Sequence, residues 1–243
     1  MSRKKKTFYE KFGKRFFDIF MSLLFILLFW WVYLILGITV RINMGSPIIF
    51  KQPRPGKNEK IFELIKYRSM TETKDNAGNL LSDEERLTNF GKVLRRTSLD
   101  ELPEILNILK GEMSFVGPRP FLVRDLVFMN EKQKKRHNVT PGLTGLAQIS
   151  GRNNLSWEDK ISLDLYYIKN ISFFGDIKII LKTFLKVFVN RSVVDVRETN
   201  LELDFGDYLL ENKRIDLNQY YSCQEKALNI LKDFYESRKW KLL

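Results

Sequence analysis

The longest apolar pattern lies near the N-terminus, where no charged residue occurs between residues 19 and 40. The sequence there is IFMSLLFILLFWWVYLILGITV. At about 1.5 Å per residue, a helix of this length reaches roughly 33 Å, which is enough to cross the hydrocarbon core of a bilayer. The pattern therefore predicts a membrane-inserted helix, and its length alone favours a single spanning anchor.

Basic residues flank this apolar segment on both sides. They are Arg3, Lys4, Lys5, Lys6, Lys11, Lys14 and Arg15 upstream, and Arg41, Lys51, Arg54 and Lys57 downstream. Lysine and arginine mark the cytoplasmic side of a membrane segment, so basic residues at both ends indicate a helix that returns or lies in one leaflet. A returning helix needs a break such as Pro or a Gly pair, and Trp30-Trp31 occupy the centre instead. Spanning and re-entrant topologies both remain open.

Shorter apolar runs bounded by Pro and Gly predict strands after the membrane segment. Residues 47–50 and 60–65 are two such runs, and the QPRPG sequence at residues 52–56 predicts a turn between them. A Gly- and Pro-containing loop at residues 140–145 leads into a third predicted strand, at residues 146–149.

Helix signals follow. Ser82-x-x-Glu85 is a capping box that predicts a helix running to about residue 95. Pro103 fits only in the first turn of the next helix, so that helix is expected to begin near residues 98–100. Four apolar residues at i, i+3, i+4 and i+7 predict the buried face of this helix: Leu102, Ile105, Leu106 and Leu109. Ser156 predicts a further helix start.

The segment at residues 176–189 combines a wide apolar face with a narrow lysine stripe formed by Lys178, Lys182 and Lys186. This pattern is typical of a helix lying in a membrane interface, where the lysines would pair with lipid phosphates. An ordinary amphipathic helix packed on a core explains it equally well. In the tail that follows, residues 222–225 predict the cap of a last helix.

Composition narrows the function classes. The 243 residues suffice for one or two domains, and the formal net charge of +12 predicts an anionic partner. The single cysteine, Cys223, excludes an intrachain disulfide and fits a reducing compartment. The apolar segment is too long for a typical signal-peptide core, and no small-residue cleavage site follows it. No GxxxxGK[ST] or GxGxxG motif supports a common nucleotide-binding loop.

The main chemical signal is the stretch RRTSLDELPEILNILKGEMSFVGPRP at residues 95–120. Its adjacent carboxylates, Asp100 and Glu101, lie among Arg95, Arg96 and Arg119. Two neighbouring carboxylates can share a Mg²⁺ ion with substrate phosphates, and an ionised Asp beside a diphosphate is a competent nucleophile. Arginines bind phosphate bidentately and stabilise developing charge. The stretch therefore predicts phosphate chemistry at a membrane surface.

Each of these residues also has a simpler explanation. Asp100 is a plausible helix cap, and Glu101 a plausible end of a capping box that begins at Ser98. Arg119 could form a structural salt bridge, and Arg95 could complement the end of a helix. Arg152, in a Gly-containing loop, could be a solvated cation. His137 is the only histidine, so a multi-histidine metal site is excluded.

Six co-linear motifs resemble the bacterial sugar transferases, the monotopic polyprenyl-phosphate phosphoglycosyl transferases in their small form. They are KRFFDIF, SPIIFKQPRPG, FELIKYRSM, the DELPE-to-GPRP stretch, PGLTGLAQISGRN and LDLYYIKNISF. The resemblance covers roughly residues 8–190. The short length suggests the minimal form, similar to the enzyme that primes N-linked glycan assembly with a diacetylated bacillosamine phosphate.

The resemblance implies transfer of a sugar-1-phosphate from a UDP-sugar, with an N-acetylated deoxyhexose the expected sugar, to undecaprenyl phosphate, releasing UMP. It implies that Asp100 is the nucleophile, that Glu101 assists at the metal and phosphate, and that Mg²⁺ is the cofactor held by these two residues. It also implies substrate-binding roles for residues within the shared motifs, namely Lys66, Arg95, Arg119, Gln148 and Arg152.

The implied fold is an α-rich α/β protein with a membrane-inserted N-terminal helix, re-entrant or spanning, and a compact cytoplasmic catalytic domain with interfacial amphipathic helices. Residues 1–44 would form the basic N-terminus and membrane helix, and residues 45–190 the catalytic domain. Residues 191–243 would be an extension without an assigned role. The expected location is the bacterial inner membrane, with the catalytic domain on the cytoplasmic face. The family usually breaks its re-entrant helix at a Ser-Pro pair, which Trp30-Trp31 replace here.

Two rival hypotheses stay beside this interpretation. A transferase that moves only the sugar to the lipid phosphate would release UDP. A non-enzymatic, membrane-anchored binding protein would hold anionic lipid or nucleic acid on its basic surface, but such a protein has no use for an acidic pair among arginines. The expected partners are therefore the UDP-sugar, undecaprenyl phosphate and anionic membrane lipids, without nucleic acid. The sequence leaves the oligomeric state unassigned.

Overall fold

The computed structural model describes residues 7–151, 155–189 and 203–239. Helices dominate these residues, with two small sheets between them. The elements are α1 (Lys14–Met44), β1 (Ile49–Pro55), β2 (Ile61–Tyr67), α2 (Asp83–Arg86), α3 (Asn89–Arg96), α4 (Glu104–Lys110), β3 (Ser114–Val116), α5 (Val123–Leu126), α6 (Glu131–Lys134), β4 (Gly142–Thr144), α7 (Leu146–Ser150), α8 (Trp157–Lys169), α9 (Phe173–Val189), α10 (Phe205–Glu211) and α11 (Leu217–Lys239).

Strands β1 and β2 form an antiparallel hairpin whose register runs from Ile49 opposite Tyr67 to Pro55 opposite Ile61. The two predicted strands exist, but the turn predicted at residues 52–56 is misplaced. Residues 52–55 belong to β1, and the chain reverses between Gly56 and Lys60, where the amide of Gly56 donates to the Lys60 carbonyl over 2.9 Å. Prolines are tolerated in β1 because it is an edge strand, paired on one side only.

The strand predicted at residues 146–149 is wrong, because these residues form helix α7. The strand lies just before it, where β4 pairs in parallel with β3. Leu146 and Ile149, three positions apart, both pack on the cluster that contains Val116 and Tyr167. A spacing of three places both side chains on one helical face, whereas a strand would point them to opposite sides.

The capping box at Ser82 is confirmed, with the amide of Glu85 donating to Ser82 Oγ and the amide of Ser82 donating to Glu85 Oε2. The helix it opens ends at Arg86, however, and Thr88 caps a separate helix, α3. Close packing explains the glycine in α3: a Cβ on Gly91 would lie 2.0 Å from the Ser69 carbonyl oxygen. The single predicted helix is therefore two helices.

Helix α4 differs from its prediction in both start and buried face. Leu99–Glu101 forms a separate 3₁₀ turn, and α4 begins at Glu104 after Pro103. Its buried apolar residues are Ile105 and Ile108, whereas Leu106 is 42% exposed. The apolar spacing failed because Leu102 precedes the helix and packs on a different cluster, against α1.

Helices α8, α9 and α11 test three further predictions. Ser156 caps α8 as expected, accepting a hydrogen bond from the amide of Asp159. Helix α9 covers the predicted segment and exposes Lys178, Lys182 and Lys186 together with several large apolar side chains. The predicted cap at residues 222–225 is wrong, because α11 begins at Leu217 behind a reciprocal Asp216–Gln219 pair.

Among the described residues, one helix, covering Tyr9–Met44, is long and apolar enough to cross a membrane. Only 11% of its most apolar window is buried, so it is unlike the core helix of a soluble domain. The backbone leaves helical geometry at Phe29, where φ is −118° and ψ is 15°. The Trp31 indole N–H donates to the Leu28 carbonyl over 3.1 Å at this kink. A local break therefore exists without Pro or Gly.

Both ends of α1 are attached to the same domain. Near its start, Arg15 donates to the carbonyls of Ile108 and Leu109, and Asp18 accepts from Ser114 Oγ. Near its end, Leu36, Val40 and Met44 pack in a core cluster with Tyr67 and Leu94. Both ends of the helix therefore contact the same domain, whereas residues 27–31 between them are exposed.

We expect the stability of the fold to fall below pH 6.5 because of His137. Burial, with a contribution from Arg136, lowers the pKa of His137 from 6.5 to about 3. Above the pKa of His137 in the unfolded chain, the folded and unfolded states are both neutral at this residue, and the fold keeps its full stability. As the pH falls from there towards the pKa in the folded protein, only the unfolded chain binds the proton, and the free energy of unfolding decreases. The cost is about 1.4 kcal/mol per pH unit in that window.

The measurement is the melting temperature of the detergent-purified protein between pH 7 and pH 5, beside a His137→Gln variant. The parent should lose stability more steeply than the variant as the pH falls. Since the chain has one histidine, parallel curves for the two proteins would contradict the prediction.

Candidate active site

The carboxylate pair lies on a tight turn between two helices. Asp100 and Glu101 belong to the 3₁₀ turn Leu99–Glu101, which follows Ser98 in the left-handed region at φ 55° and ψ 21°. A non-glycine residue in this region is strained, and such strain occurs at functional sites. Ser98 makes no capping hydrogen bond, and α4 begins beyond Pro103. The capping explanations for Asp100 and Glu101 are therefore wrong, and both side chains are available to a site.

Lys66 brings three carboxylates together. Its ammonium, carried by β2, donates to Glu101 Oε1 over 2.8 Å and lies 3.2 Å from Glu104 Oε1 and 4.0 Å from Asp100 Oδ2. Asp100 is 7% exposed and Glu104 only 2%. Buried carboxylates need a compensating charge. Lys66, which the family resemblance included among the substrate-binding residues, here lies at the centre of the acidic group.

Arg119 provides a second cation for Glu101, from the loop that follows β3. The GPRP loop follows β3, and Arg119 Nη2 donates to Glu101 Oε1 over 2.8 Å. The side chain remains 42% exposed, so part of it is accessible to a ligand. Its alternative role as a structural salt bridge and its predicted role at the dyad are therefore compatible.

Arg136 fixes the backbone of Arg119 from behind. Its guanidinium donates to the Arg119 carbonyl over 2.7 Å and to Asp164 Oδ2 over 2.6 Å, and its Cζ lies 3.6 Å from the ring centroid of Phe121. Arg136 is 1% exposed. A fully buried ion pair thus holds the GPRP loop in place, and the loop turns Arg119 towards the dyad.

The remaining predicted site residues differ in their relation to the dyad. Arg95, in the last turn of α3, donates from Nε to Ser69 Oγ over 2.8 Å, and its charge acts on Asp100. Gln148 lies in α7 and donates to the Leu143 carbonyl; within the described ranges no hydrogen bond joins it to the dyad. Arg152 lies outside the described residues.

The surroundings shift the pKa values of the three carboxyl groups in different directions or to different extents. Burial acts to raise the pKa of Glu101, but Arg119 and Lys66 together outweigh it and hold that pKa well below its usual value. Burial raises the pKa of Asp100 above its usual value, against the opposing effect of Lys66. Burial and repulsion from Glu101 raise the pKa of Glu104 to about 7. Glu101 is therefore a fixed anion, and Glu104 is poised to exchange a proton near neutrality.

Sequence reasoning missed Arg54 as well as Glu104. Arg54 lines a small void with Lys66, Glu104 and Arg119, and its buried Nε has no hydrogen-bond partner among the described residues. Burial, reinforced by the charge of Arg119, lowers the pKa of Arg54 to about 10. A signal was present, because Arg54 stands between two prolines just as Arg119 does.

The residues fit a magnesium ion shared with a substrate. In the part of the chain that the structure describes, no cluster of three or more His, Cys, Asp or Glu side chains could hold a metal alone. Magnesium rarely needs such a cluster, since it is commonly bound by one or two carboxylates together with substrate phosphates and water. Asp100 and Glu101 provide those carboxylates.

Asp100 and Glu101 lie among cations in a domain that also contacts an exposed apolar helix, and this arrangement is what a membrane-associated enzyme that handles phosphate would need. The family model described as bacterial sugar transferase matches residues 9–190. The chain belongs to the bacterial sugar transferase family, and the prediction of that family and of an enzyme is confirmed.

Relatives support the same assignment. The uncharacterized sugar transferase EpsL of Bacillus subtilis is 47% identical over 78% of this chain and 94% of its own length. The exopolysaccharide production protein ExoY of Rhizobium meliloti is 36% identical over 74% of this chain and 87% of its own length. The UDP-glucose:undecaprenyl-phosphate glucose-1-phosphate transferase of Escherichia coli is 38% identical over 74% of this chain, but the match covers only 41% of that protein.

We expect Arg136→Met to destabilise the protein by about 3–5 kcal/mol, because it leaves Asp164 buried and unpaired. A double variant, Arg136→Met with Asp164→Leu, should recover much of this loss, since neither charge then remains buried. Thermal unfolding of the purified proteins measures both effects.

Arg124→Met is the matched control. Arg124 is half-exposed in its pair with Asp204, and exposed pairs contribute about 0–1 kcal/mol. Equal losses for Arg136→Met and Arg124→Met would contradict the structural role given to Arg136.

Proposed function

We propose that this enzyme transfers a sugar-1-phosphate from a UDP-sugar to undecaprenyl phosphate, releasing UMP and forming an undecaprenyl-diphosphate sugar. The observation that carries the proposal is the buried Asp100–Glu101 pair held between Lys66 and Arg119. The names of relatives such as the E. coli glucose-1-phosphate transferase support the same reaction. This product is the first membrane-bound intermediate of a glycoconjugate.

The reaction proceeds through two displacements at one phosphorus atom. A carboxylate oxygen of Asp100 attacks the phosphorus that bears the sugar, the bond to the UMP oxygen breaks, and UMP leaves with that electron pair. A phosphate oxygen of undecaprenyl phosphate then attacks the same phosphorus. Asp100 leaves as a carboxylate, so the enzyme is regenerated without an added proton or cofactor electron. Covalent catalysis divides one difficult transfer into two easier ones.

The charged neighbours have separate tasks. Arg119, whose pKa Glu101 raises, stays cationic and binds the phosphate oxygens through its guanidinium. Lys66 stabilises the charge that develops beside Asp100. Glu101 stays ionised and orients both cations. When bound, Mg²⁺ would neutralise diphosphate charge, and Asp100 and Glu101 are the residues that would hold it. Arg95, Gln148 and Arg152 are proposed to bind the substrate.

The proposed donor is a UDP-linked N-acetylated deoxyhexose. The relatives with sugar-specific names are glucose or galactose transferases. UDP-glucose and UDP-galactose therefore belong in the same substrate panel. Release of UDP instead of UMP would indicate the rival reaction, in which only the sugar moves.

The proposed topology places α1 in one leaflet, with the catalytic domain on the cytoplasmic face of the inner membrane. A straight helix from Arg15 to Met44 is roughly 45 Å long, which exceeds a hydrocarbon core of about 30 Å. Both of its ends contact the same domain, and this supports a helix that does not cross. The kink at Phe29 supports a change of direction. The exposed lysines of α9 would then face anionic lipid.

The test of the reaction uses the full chain in nanodiscs with undecaprenyl phosphate, Mg²⁺ and the panel of UDP-sugars. The parent should release UMP, and Asp100→Asn should lower that release by on the order of 10³-fold or more, because it removes the nucleophile. Without acceptor, intact-mass measurement should detect the parent with one added phosphosugar.

Asp233→Asn, at an exposed position of α11, removes the same charge and should leave the rate unchanged. UMP release that persists in Asp100→Asn, or a parent that releases UDP, contradicts the mechanism.

The topology is tested by cysteine labelling in spheroplasts. In a Cys223→Ser background, Ser2→Cys should resist a membrane-impermeant maleimide until the membrane is permeabilised, because both helix ends face the cytoplasm. Asn79→Cys, in an exposed loop of the catalytic domain, gives the reference behaviour. Labelling of Ser2→Cys in intact spheroplasts, with Asn79→Cys protected, would establish a spanning helix instead.

A further inference from the structure

A second polar cavity, separate from the dyad, lies against the first turns of the membrane helix. Its volume is about 340 Å³, within the range of about 300–1,000 Å³ usual for small-molecule sites. Its charged lining residues are Glu10, Lys11, Lys14, Arg15, Asp18 and Lys57. The cavity touches Gly111, just beyond the C-terminal end of α4, whereas the dyad precedes the N-terminal end of that helix.

The cations that line this cavity outnumber its carboxylates by four to two. Lys14 is paired with Asp176 over 2.5 Å. Arg15 donates to two neutral carbonyl oxygens, those of Ile108 and Leu109. Among the described residues, no carboxylate lies within salt-bridge distance of Lys11, Arg15 or Lys57. Three cations around one cavity form an anion-binding arrangement.

The two acidic lining residues offset only part of this charge, with Asp18 acting on Lys14 and Arg15. Asp18 is buried and already accepts hydrogen bonds from Ser114 Oγ and the amide of Phe115. Glu10 accepts from the amide of Thr7 at the helix start. Asn138 and Thr140 also line the cavity, and within the described ranges no hydrogen bond involves their side chains. They offer neutral donors and acceptors for hydroxyl groups of a ligand.

The helix that lines the cavity carries an aromatic stripe. Phe8, Phe12, Phe16 and Phe20 recur every four residues, and each is at least 55% exposed. Phe174, beside the cavity-lining segment at Ile171, is 83% exposed. The exposed apolar stripe therefore covers the same turns of the helix as the cavity-lining residues, and basic and apolar surface side by side is typical of a helix at a membrane interface.

We propose that this cavity binds the headgroup of one anionic phospholipid, with the phosphate between Lys11, Arg15 and Lys57 and the acyl chains along the phenylalanine stripe. A soluble phosphate would use the cations but not the adjacent apolar surface. The bound lipid would attach the start of α1 to the membrane at a defined depth. The site is independent of the proposed reaction.

The test is native mass spectrometry of the delipidated full chain in neutral detergent, titrated with phosphatidylglycerol or phosphatidylcholine. The parent should retain one phosphatidylglycerol in preference to phosphatidylcholine. Each lysine near an anionic headgroup contributes about fivefold in affinity. Lys11→Ala with Lys57→Ala should therefore weaken phosphatidylglycerol binding by about 25-fold.

Two further variants separate a defined site from diffuse attraction. Lys226→Ala with Lys232→Ala, at exposed positions of α11, removes the same charge and should leave the affinity within twofold of the parent. Asn138→Trp fills the cavity without a charge change and should abolish the preference for phosphatidylglycerol over phosphatidylcholine. Melting curves and UMP release of each variant report whether the fold and the reaction are intact.

Four results would overturn the proposal. Equal losses in the two double-lysine variants would indicate attraction to the overall positive charge. Displacement of phosphatidylglycerol by millimolar inorganic phosphate would indicate a site for free phosphate. Displacement by equimolar undecaprenyl phosphate would indicate a site for the acceptor. Retained preference in Asn138→Trp would show that the lipid binds elsewhere.

Discussion

The arrangement of the site depends on one partly buried ammonium group, that of Lys66. Lys66 lies within 4.0 Å of carboxylates from the dyad turn and from α4. Without a cation among them, the three carboxylates would repel one another in a region where water screens poorly. The hairpin that carries Lys66 therefore does more than complete a small sheet. It sets the distance between the dyad turn and α4, and it leaves Asp100 less tightly paired than Glu101.

The sequence predicted the candidate site residues but not their surroundings. Asp100, Glu101 and Arg119 could be found because unusual residues are concentrated in one short stretch. Arg136 and Asp164 are separated by 28 positions, and no local pattern indicates that their pairing supports Arg119. Local capping rules also favoured structural roles for the dyad, because Ser98 and Pro103 resemble a helix start. The left-handed conformation of Ser98 is a backbone feature that residue spacing does not reveal.

The same limit explains the misplaced elements. Residues 146–149 are apolar enough for a strand, and only the cluster around Val116 and Tyr167 selects the helix. The long apolar helix was the easiest element to predict, since length and composition decide it. Its kink was not predicted because Pro and Gly are the usual causes, whereas here the Trp31 indole supplies a donor to the Leu28 carbonyl.

Helix α4 joins the membrane helix to the catalytic centre. Arg15 closes its C-terminal end, Tyr33 donates to the Leu102 carbonyl just before it, and the dyad turn leads into it. Since α4 has only seven residues, the depth of α1 in the membrane also fixes the height of Asp100. In the proposed reaction, an acceptor whose phosphate lies at the membrane surface would meet Asp100 at that height. Attachment of α1 at both ends would then serve the geometry of that reaction as well as the stability of the fold.

The chain around the described C-terminal helices contacts α5, the helix that follows the Arg119 loop. The family match ends at residue 190, yet Asp125 in α5 accepts a hydrogen bond from the amide of Phe205, and Arg124 pairs with Asp204. Helix α5 directly follows the loop that carries Arg119. Phe205 is 1% exposed, between Met129 and Ile161. Residues beyond the family match thus bury part of the segment that supports Arg119. A truncation before residue 203 would expose that surface, so the extension belongs to the structural support of the active site.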